Sequence, residues 1–266
     1  MTHPTNQAPR LSYRVHPGTG PYLGLVHGFL SSRAQWQLNL QALAEVCTPV
    51  TIELWGHGDS PAPTDTHHYT PSAYVEQLEA IRQELGCEHW FLCGYSLGAG
   101  LTIRYAHHYA EHVVAHIFTN SQSAFAGPET LASWSKEMPT TAEKIREQGQ
   151  TAIKRIAVHP RFAKRLPAQI YQALIDDAEK LSPHAVAATL ETTNLSASTR
   201  DIAHLNKRPA LMCFGKYEKR FHSAKSWAEA NMANLQITEM EAAHGVNMED
   251  SDAFNSTVTE FIQTHS

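Results

Sequence analysis

The chain has 266 residues, a hydrophobic fraction of 42% and a formal net charge of −5. This length suits one large domain or a core domain with an inserted subdomain. The charge is modest and has no long run of one sign, so binding to nucleic acid or to a membrane surface is not expected. No apolar stretch could span a bilayer, and the polar start Met1–Gln7 lacks the core of a signal peptide, which favours a cytoplasmic protein.

The four cysteines have neither the spacing of a metal site nor that of a disulfide framework. Cys93 and Cys213 fall inside predicted buried strands, while Cys47 and Cys87 follow predicted helices. We therefore expect four packed free thiols. Nothing else in the sequence indicates a metal ion or an organic cofactor, so neither is expected.

Strand and helix signals alternate along the first half of the chain, which is typical of a mainly parallel sheet with helices on both faces. The predicted strands are Tyr13–Val15, Leu23–Gly28, Val50–Trp55, Trp90–Cys93 and Val113–Phe118. The predicted helices are one through Trp36, Leu40 and Leu43, one from Pro71 that stops at Gly86, and one from the Ser96 turn to about Tyr109.

From about Gly127 to Leu205 the sequence is helical in character and has no strand candidate, with internal stops at Pro139, Pro160, Pro167 and Pro183. Alternation returns with a strand over Pro209–Gly215, a helix around Trp227, a strand over Leu235–Met240, and a last helix that begins near Asp250 or Ser251 and carries Phe254, Val258 and Phe261 on one face. An all-helical block inside an alternating pattern indicates an insertion. We therefore predict a core of residues 1–126 and 206–266, with residues 127–205 forming a helical cap.

The sequence Gly94-Tyr95-Ser96-Leu97-Gly98 joins an apolar strand to a helix. In that context a Gly-x-Ser-x-Gly pattern predicts a nucleophile elbow, in which the serine hydroxyl stands clear of the sheet edge. Gly94 and Gly98 lack a Cβ, so the helix start can pass close to the incoming strand. An incidental serine in a strand-to-helix turn is the alternative interpretation.

A nucleophilic serine needs a histidine to take its proton and a carboxylate to orient that histidine. In this architecture the chain order is serine, acid, histidine, with the last two placed after later strands. Of 17 histidines, His244 follows the final predicted strand, whereas His27, His57, His107 and His108 are interpreted as structural or exposed. These rules predict His244 as the catalytic base.

The loop after the strand Ala210–Phe214 has one carboxylate, Glu218, which we predict to be the acid. A surface charge between basic neighbours is its alternative role. The loop after Val113–Phe118 supplies Asn120 and no carboxylate. Asp59 and Asp201 are possible substitutes, although Asp59 precedes the serine and is expected to stabilise its own glycine turn.

An oxyanion needs two preorganised hydrogen-bond donors. We expect one from the backbone N–H of Leu97, at the start of the helix after Ser96, where free N–H groups and the helix dipole favour negative charge. The other is expected from the N–H of Phe29, directly after the turn His27-Gly28. Phe29 as plain core packing is compatible with this role, because the donor is its backbone.

Four motifs together resemble the α/β-hydrolase superfamily: His27-Gly28-Phe29, Gly56-His57-Gly58-Asp59-Ser60, Gly94-Tyr95-Ser96-Leu97-Gly98 and Ala243-His244-Gly245. The resemblance implies an α/β-hydrolase fold with a mainly parallel central sheet flanked by helices. Two further pieces, Ala188–Leu195 and the Gly215–Phe221 loop, resemble the 2-succinyl-6-hydroxy-2,4-cyclohexadiene-1-carboxylate synthases of menaquinone biosynthesis. The fourth position of that loop holds the catalytic acid in this family, which supports Glu218 independently.

The chain also departs from that synthase family. The family carries an arginine in the helix after the serine to grip substrate carboxylates, where this chain has Gly100. Arg104 lies one helical turn later, and Arg104 and Tyr95 are candidate substrate contacts. Glutamate in place of the family's aspartate at position 218 lengthens the acid by one methylene. The scaffold and triad are therefore inferred from the resemblance, and the reaction is left open.

The predicted cap carries a basic run with no carboxylate between Ile153 and Leu166, which is either a cationic rim for an anionic substrate or, more often, a solvated helix face.

Three functions are considered. The favoured one is a serine hydrolase that cleaves carboxylic esters or thioesters of small to medium acyl groups. The second uses the triad as a base for elimination or carbon-carbon cleavage, and the third is a non-catalytic binding protein. The expected partner is a small acyl substrate, and the oligomeric state is left open.

Overall fold

The structure is a computed structural model that describes residues 8–266. The polar start Met1–Gln7, on which the expectation about a signal peptide rests, lies outside the described residues. Seven strands form one sheet: β1 (Tyr13–Val15), β2 (Tyr22–Val26), β3 (Thr48–Ile52), β4 (Trp90–Gly94), β5 (Val113–Thr119), β6 (Ala210–Gly215) and β7 (Leu235–Met240). All seven predicted strands are confirmed, with ends that differ by a few residues.

The strand order across the sheet is β1-β3-β2-β4-β5-β6-β7. Only β1 runs antiparallel to its neighbour β3, and every other pair is parallel. The predicted mainly parallel sheet is therefore confirmed. Because β2, β4, β5, β6 and β7 run parallel, the loops that follow them open at the same edge of the sheet, with the loop after β4 in the middle.

Ten α-helices accompany the sheet within residues 8–266: α1 (Leu40–Leu43), α2 (Pro71–Glu84), α3 (Leu97–His108), α4 (Pro128–Gln148), α5 (Gln150–Ile153), α6 (Ala168–Ala178), α7 (Pro183–Ala188), α8 (His222–Asn231), α9 (Val246–Glu249) and α10 (Ser251–His265). None of these helices combines the length and the hydropathy needed to cross a membrane. Within the same residues, all four cysteines are free thiols, as predicted.

Successive residues of the central strands point to opposite faces of the sheet. Phe91 and Cys93 of β4 pack in a core cluster with Phe254 of α10, whereas Trp90 and Leu92 pack in a second cluster with Leu101 of α3. A near-continuous apolar strand of this kind is typical of a parallel sheet covered on both faces. The two layers of helices hold β4, and with it the turn at Ser96, in the middle of the molecule.

The predicted helix through Trp36, Leu40 and Leu43 is wrong in part, because the structure breaks it in two. A 3-10 turn covers Arg33–Trp36, and α1 begins only at Leu40. Asn39 lies at the break, where its side-chain nitrogen donates to the carbonyl of Asn247 (2.9 Å) and to Oδ1 of Asn255 (2.8 Å). An asparagine that bonds outside its own helix competes with continuous helix formation.

Pro139 is not the helix stop that was predicted, since it lies inside α4. A proline at this position removes the hydrogen bond to the carbonyl of Ser135. Both residues are exposed, so water can satisfy that carbonyl. The other three prolines do mark boundaries: Pro160 begins a 3-10 turn, Pro167 precedes α6 and Pro183 opens α7.

Residues 128–205, between β5 and β6, contain helices and turns and no strand. Apolar side chains of this helical segment form a core cluster of their own that includes Ile145, Ile153 and Val186 and closes against Leu30 after β2. The Thr193 hydroxyl also donates to the carbonyl of Tyr69, at 2.6 Å. The segment is therefore packed onto the edge of the sheet where the turn at Ser96 opens.

Replacement of Phe254 by alanine should destabilise the sheet packing. The ring is fully buried and lies 6.4 Å from the ring of Trp36, between α10 and the sheet. Loss of a buried phenylalanine costs about 3–5 kcal/mol. Chemical denaturation should show that decrease in the free energy of unfolding for Phe254→Ala. Ser256→Ala, on the exposed side of the same helix, should change it by no more than about 0.5 kcal/mol.

Candidate active site

Ser96 lies in a strained turn between β4 and α3. Its φ is 54° and its ψ is −110°, a backbone conformation that few non-glycine residues adopt. The turn requires glycine at both flanking positions. A Cβ at Gly98 would overlap the carbonyl oxygen of Val26, and one at Gly94 would overlap Thr102 and Gly98. The strand and the helix therefore pack closely on both sides of the turn. The Ser96 side chain faces the cavity above the sheet.

The structure brings His244 and Ser96 together, although 148 positions separate them in sequence. Nε2 of His244 lies 3.1 Å from Oγ of Ser96. The imidazole is stacked on Phe221, with ring centroids 4.9 Å apart and an angle of 11° between planes. Tyr95 lies on another side of it at 5.1 Å. These two aromatic rings fix the plane of the imidazole relative to the serine.

The structure does not place Glu218 on His244. Oε1 of Glu218 forms an ion pair with Nε of Arg220, at 2.9 Å. Nδ1 of His244 is buried and has no hydrogen-bond partner among the described residues. Burial, followed by the positive charge of Arg220, lowers the pKa of His244 from 6.5 to about 3. The expected acid therefore lines the cavity but is engaged by a neighbouring guanidinium.

The backbone amides of Phe29 and Leu97 are the donors left free near Ser96. On either side of Phe29 the amides are occupied, because Gly28 N–H donates to Oε1 of Gln35 (3.4 Å) and Leu30 N–H donates to Nε2 of His57 (3.3 Å). Within residues 8–266, the N–H groups of Phe29 and Leu97 make no hydrogen bond. Both residues line the cavity, so both amides are available to a ligand oxygen there.

His57 holds the turn that presents Phe29. Its Nδ1 donates to the carbonyl of Trp55 at 2.9 Å, which leaves Nε2 to accept from Leu30 N–H. Leu30 itself has a positive φ of 59°. Burial lowers the pKa of His57 from 6.5 to about 3, so the ring remains neutral and keeps its acceptor. His27 is buried beside it and donates from Nδ1 to Gly28, so both histidines are structural, as predicted.

Asn120 is a site residue whose role the sequence analysis missed. Its Nδ2 donates to the carbonyls of Gly215 and Ala243, both at 3.3 Å, and its Oδ1 accepts from Gly215 N–H at 2.8 Å. One amide thus joins the loops that carry Glu218 and His244. The sequence does contain a signal for this role, because Asn120 is a polar residue directly after the apolar strand β5. Glu249, five residues after His244, was missed as well and also lines the cavity.

Ser96 and His244 open into a cavity of about 600 Å³. The lining is mainly apolar, and the helical segment contributes Trp134, Met138, Ile156, Val158, Phe162 and Leu166. This volume lies within the range of small-molecule sites. Among residues 8–266 there is no group of three His, Cys, Asp or Glu side chains that could hold a metal ion.

The basic run of the helical segment is only partly directed at the cavity. Lys164 and Arg165 line it, whereas Lys154 forms an ion pair with Glu179 at 2.7 Å. Arg161 does not line it and lies over the ring of Phe162. Part of the basic run therefore lies at the edge of the cavity, and part of it lies on a solvated face of the helical segment.

The two candidate substrate contacts are placed differently. Tyr95 is buried, lines the cavity and contacts the His244 ring. Arg104 does not line the cavity, because its Nη2 donates to the carbonyls of Ser196 (3.3 Å) and Ser198 (2.7 Å). Arg104 thus ties the end of the helical segment to α3, and its position gives it no contact with a ligand beside Ser96.

The protein family described as having the alpha/beta hydrolase fold matches residues 21–180, more than half of the chain. The chain belongs to the α/β-hydrolase family. The predicted fold class is confirmed for this α/β-hydrolase by the same match, by the sheet order and by solved structures of the same fold.

Relatives of this α/β-hydrolase match it over less than half of their length. A putative 2-succinyl-6-hydroxy-2,4-cyclohexadiene-1-carboxylate synthase from Bacillus subtilis is 29% identical over 115 residues, 43% of this chain and 40% of that protein. An uncharacterized protein from Mycobacterium tuberculosis is 29% identical over 104 residues, 39% of this chain and 30% of that protein. The structure of MenH from S. aureus has a TM-score of 0.84 at 19% identity, covering 95% of this chain and 98% of that chain, and this likeness shows the fold alone.

The neutral state of His57 should make stability depend on pH. An imidazole with a pKa of about 3 when folded and about 6.5 when unfolded stabilises the fold above pH 6.5, and the contribution is lost as the pH falls toward 3. The free energy of unfolding should therefore decrease by up to about 1.4 kcal/mol per pH unit from this residue. Denaturation series between pH 7 and pH 5 should show a shallower slope for His57→Gln. His204→Gln, at an exposed position, should keep the wild-type slope.

Proposed function

We propose that this α/β-hydrolase is a serine hydrolase that cleaves carboxylic esters or thioesters of small to medium acyl groups. The observation that carries the proposal is the 3.1 Å contact between Nε2 of His244 and the hydroxyl of Ser96, in a strained turn that faces a mainly apolar cavity. A serine held this way, with a base in hydrogen-bond reach, is the arrangement that nucleophilic catalysis requires.

In the proposed reaction, Oγ of Ser96 attacks the acyl carbonyl carbon while Nε2 of His244 takes the hydroxyl proton. The carbonyl oxygen becomes negatively charged and accepts hydrogen bonds from the N–H groups of Phe29 and Leu97. Collapse of this intermediate releases an alcohol or a thiol, which takes the proton from His244. Water, activated by the same imidazole, then hydrolyses the acyl-enzyme and restores Ser96.

We assign Glu218 the role of orienting His244 during this reaction. An imidazolium formed above the serine needs a carboxylate at Nδ1, and Nδ1 of His244 is buried without a partner in the described part of the chain. Glu218 lines the same cavity and forms its ion pair with Arg220, whose side chain is about half exposed. The Glu218 side chain is 21% exposed, so the pair is partly open to solvent, which weakens it and favours exchange of Arg220 for the imidazolium.

The cavity walls support the substrate class. Apolar side chains of the helical segment cover Ser96, so we propose that residues 127–205 act as a cap that excludes water and selects acyl groups by shape. Tyr95 forms part of the wall beside the nucleophile. Two of the cationic side chains at the cavity, Arg165 and Arg220, already pair with glutamates. A neutral acyl group therefore fits the lining better than a substrate with several carboxylates.

The second candidate is an elimination or carbon-carbon cleavage in which the triad acts as a base, as the likeness to the synthases of menaquinone biosynthesis suggests. Lys164 favours it, because this basic side chain lines the cavity and forms no ion pair among the described residues. Turnover of a carboxylate-rich substrate by an enzyme that ignores simple esters would support this candidate over the first.

Ser96→Ala should abolish the hydrolysis of short p-nitrophenyl esters, with a loss of about 10⁴-fold or more in kcat. It should also abolish labelling by a fluorophosphonate, in which the serine oxygen displaces fluoride. Ser123→Ala removes another hydroxyl that lines the cavity and should still be labelled. A wild-type protein that is neither labelled nor active on esters would contradict the proposal and favour a binding function.

Glu218→Gln should lower kcat by about 10²- to 10⁴-fold, because the amide cannot stabilise the imidazolium. It should also move the acid limb of the kcat/KM profile to lower pH, because protonation of His244 would no longer draw a carboxylate to Nδ1 that opposes the lowering of the imidazole pKa by burial and Arg220. Glu137→Gln, which changes another carboxylate at the cavity, should keep the wild-type acid limb. Equal acid limbs for Glu218→Gln and wild type would exclude Glu218 as the acid.

A further inference from the structure

A nearly buried carboxylate brackets the loop that carries His244. Oε2 of Glu249 accepts from Ala243 N–H at 2.9 Å, and Oε1 accepts from Gly245 N–H at 3.0 Å. These are the two amides on either side of His244. One side chain therefore fixes the backbone on both sides of the histidine, and the side chain of Glu249 is only 8% exposed.

The same carboxylate is bound from the helical segment. Nε of Arg165 donates to Oε2 of Glu249 at 2.7 Å, and the Arg165 guanidinium lies 4.9 Å from the ring centre of Tyr217, on the loop that carries Glu218. The helical segment also lies close to Gly245, since a Cβ at that position would be 3.0 Å from a methyl group of Leu166. Arg165 and Leu166 thus bring the helical segment directly onto the His244 loop.

The Glu249 carboxyl group accepts three hydrogen bonds in all. Both oxygens accept from backbone amides, and the remaining capacity of Oε2 is taken by Arg165. Charge-assisted hydrogen bonds of this kind are about twice as strong as neutral ones. Arg165 is itself about half exposed, so the pair joins a nearly buried carboxylate to the solvent-facing side of the helical segment.

We propose that Glu249 is a positioning residue for His244 and that its ion pair with Arg165 couples the placement of the helical segment to the orientation of the imidazole. The proposal rests on the proposed serine hydrolase function. The catalytic base acts at full rate only when Arg165 is seated on Glu249, so the helical segment contributes to the rate of the chemical step as well as to the shape of the cavity.

The expected effect is on kcat rather than on KM. Glu249 and Arg165 act through the backbone of residues 243–245, and small misplacement of a catalytic group costs up to about 10²-fold in rate. For Arg165→Gln we expect kcat for p-nitrophenyl butyrate to fall about 5- to 10-fold with KM within about twofold of wild type. Arg165→Lys retains the charge and should recover part of the loss.

A double-mutant cycle separates coupling from two independent losses. Glu249→Gln should lower kcat further, because its amide nitrogen cannot accept from a backbone N–H. With that carboxylate gone, adding Arg165→Gln should change kcat by less than about twofold, since contacting residues are not additive. The control is Arg161→Gln, in the same basic run but without a carboxylate partner among the described residues, and it should leave kcat unchanged.

The outcomes distinguish this proposal from the function on which it rests. Wild-type protein that reacts with neither ester nor fluorophosphonate overturns both. An active wild type in which Arg165→Gln matches Arg161→Gln overturns the coupling alone. Arg165→Gln that raises KM with kcat unchanged also overturns it, because Arg165 would then act as a substrate contact. Denaturation curves for each variant verify that the loss does not follow from unfolding.

Discussion

The left-handed backbone at Ser96 is the constraint on which the rest of the site depends. A non-glycine residue at a φ of 54° costs energy that its surroundings must supply. The surroundings here are β4 in the middle of the sheet, with layers of helices on both faces, and the glycines at 94 and 98 that let α3 start against the strand. The strain places the hydroxyl above the sheet edge and leaves the amide of Leu97 free at the helix start. One local conformation thus supplies both the proposed nucleophile and a hydrogen-bond donor beside it.

The other groups reach this point because parallel strands end at a common edge. Phe29 follows β2, Glu218 follows β6 and His244 follows β7, and buried polar side chains tie the loops that carry them together by hydrogen bonds. Asn120 links the second and third loops through three hydrogen bonds, and His57 supports the first. A loop at this edge must satisfy its backbone groups with side chains, because the hydrogen bonds between strands end there. The supporting residues are therefore polar and buried.

Much of this was predictable from the sequence, for identifiable reasons. The strands, the helix from Pro71 and the elbow were predicted because apolar runs, a cap before proline and paired glycines act locally. The break before Leu40 was not predictable, because Asn39 forms hydrogen bonds with residues more than 200 positions away. Pro139 was misjudged because exposure, which decides whether a freed carbonyl finds water, is not a local property. At the site, chain order places Ser96 and His244 together, but no pattern in the sequence reveals that Arg220 holds the Glu218 carboxylate in the structure.

In the proposed mechanism, the pairing of Glu218 with Arg220 bears on when the carboxylate acts on His244. His244 has a pKa of about 3 when burial and Arg220 act on it, so the imidazole is unprotonated across the ordinary pH range and free to take the Ser96 proton. So low a pKa also makes the imidazole a weak proton acceptor, and a carboxylate that reaches Nδ1 would raise it. The need for the carboxylate begins only when the serine gives up its proton. In this proposal Glu218 leaves its pair with Arg220, whose side chain is about half exposed, and moves to the imidazolium as that positive charge develops.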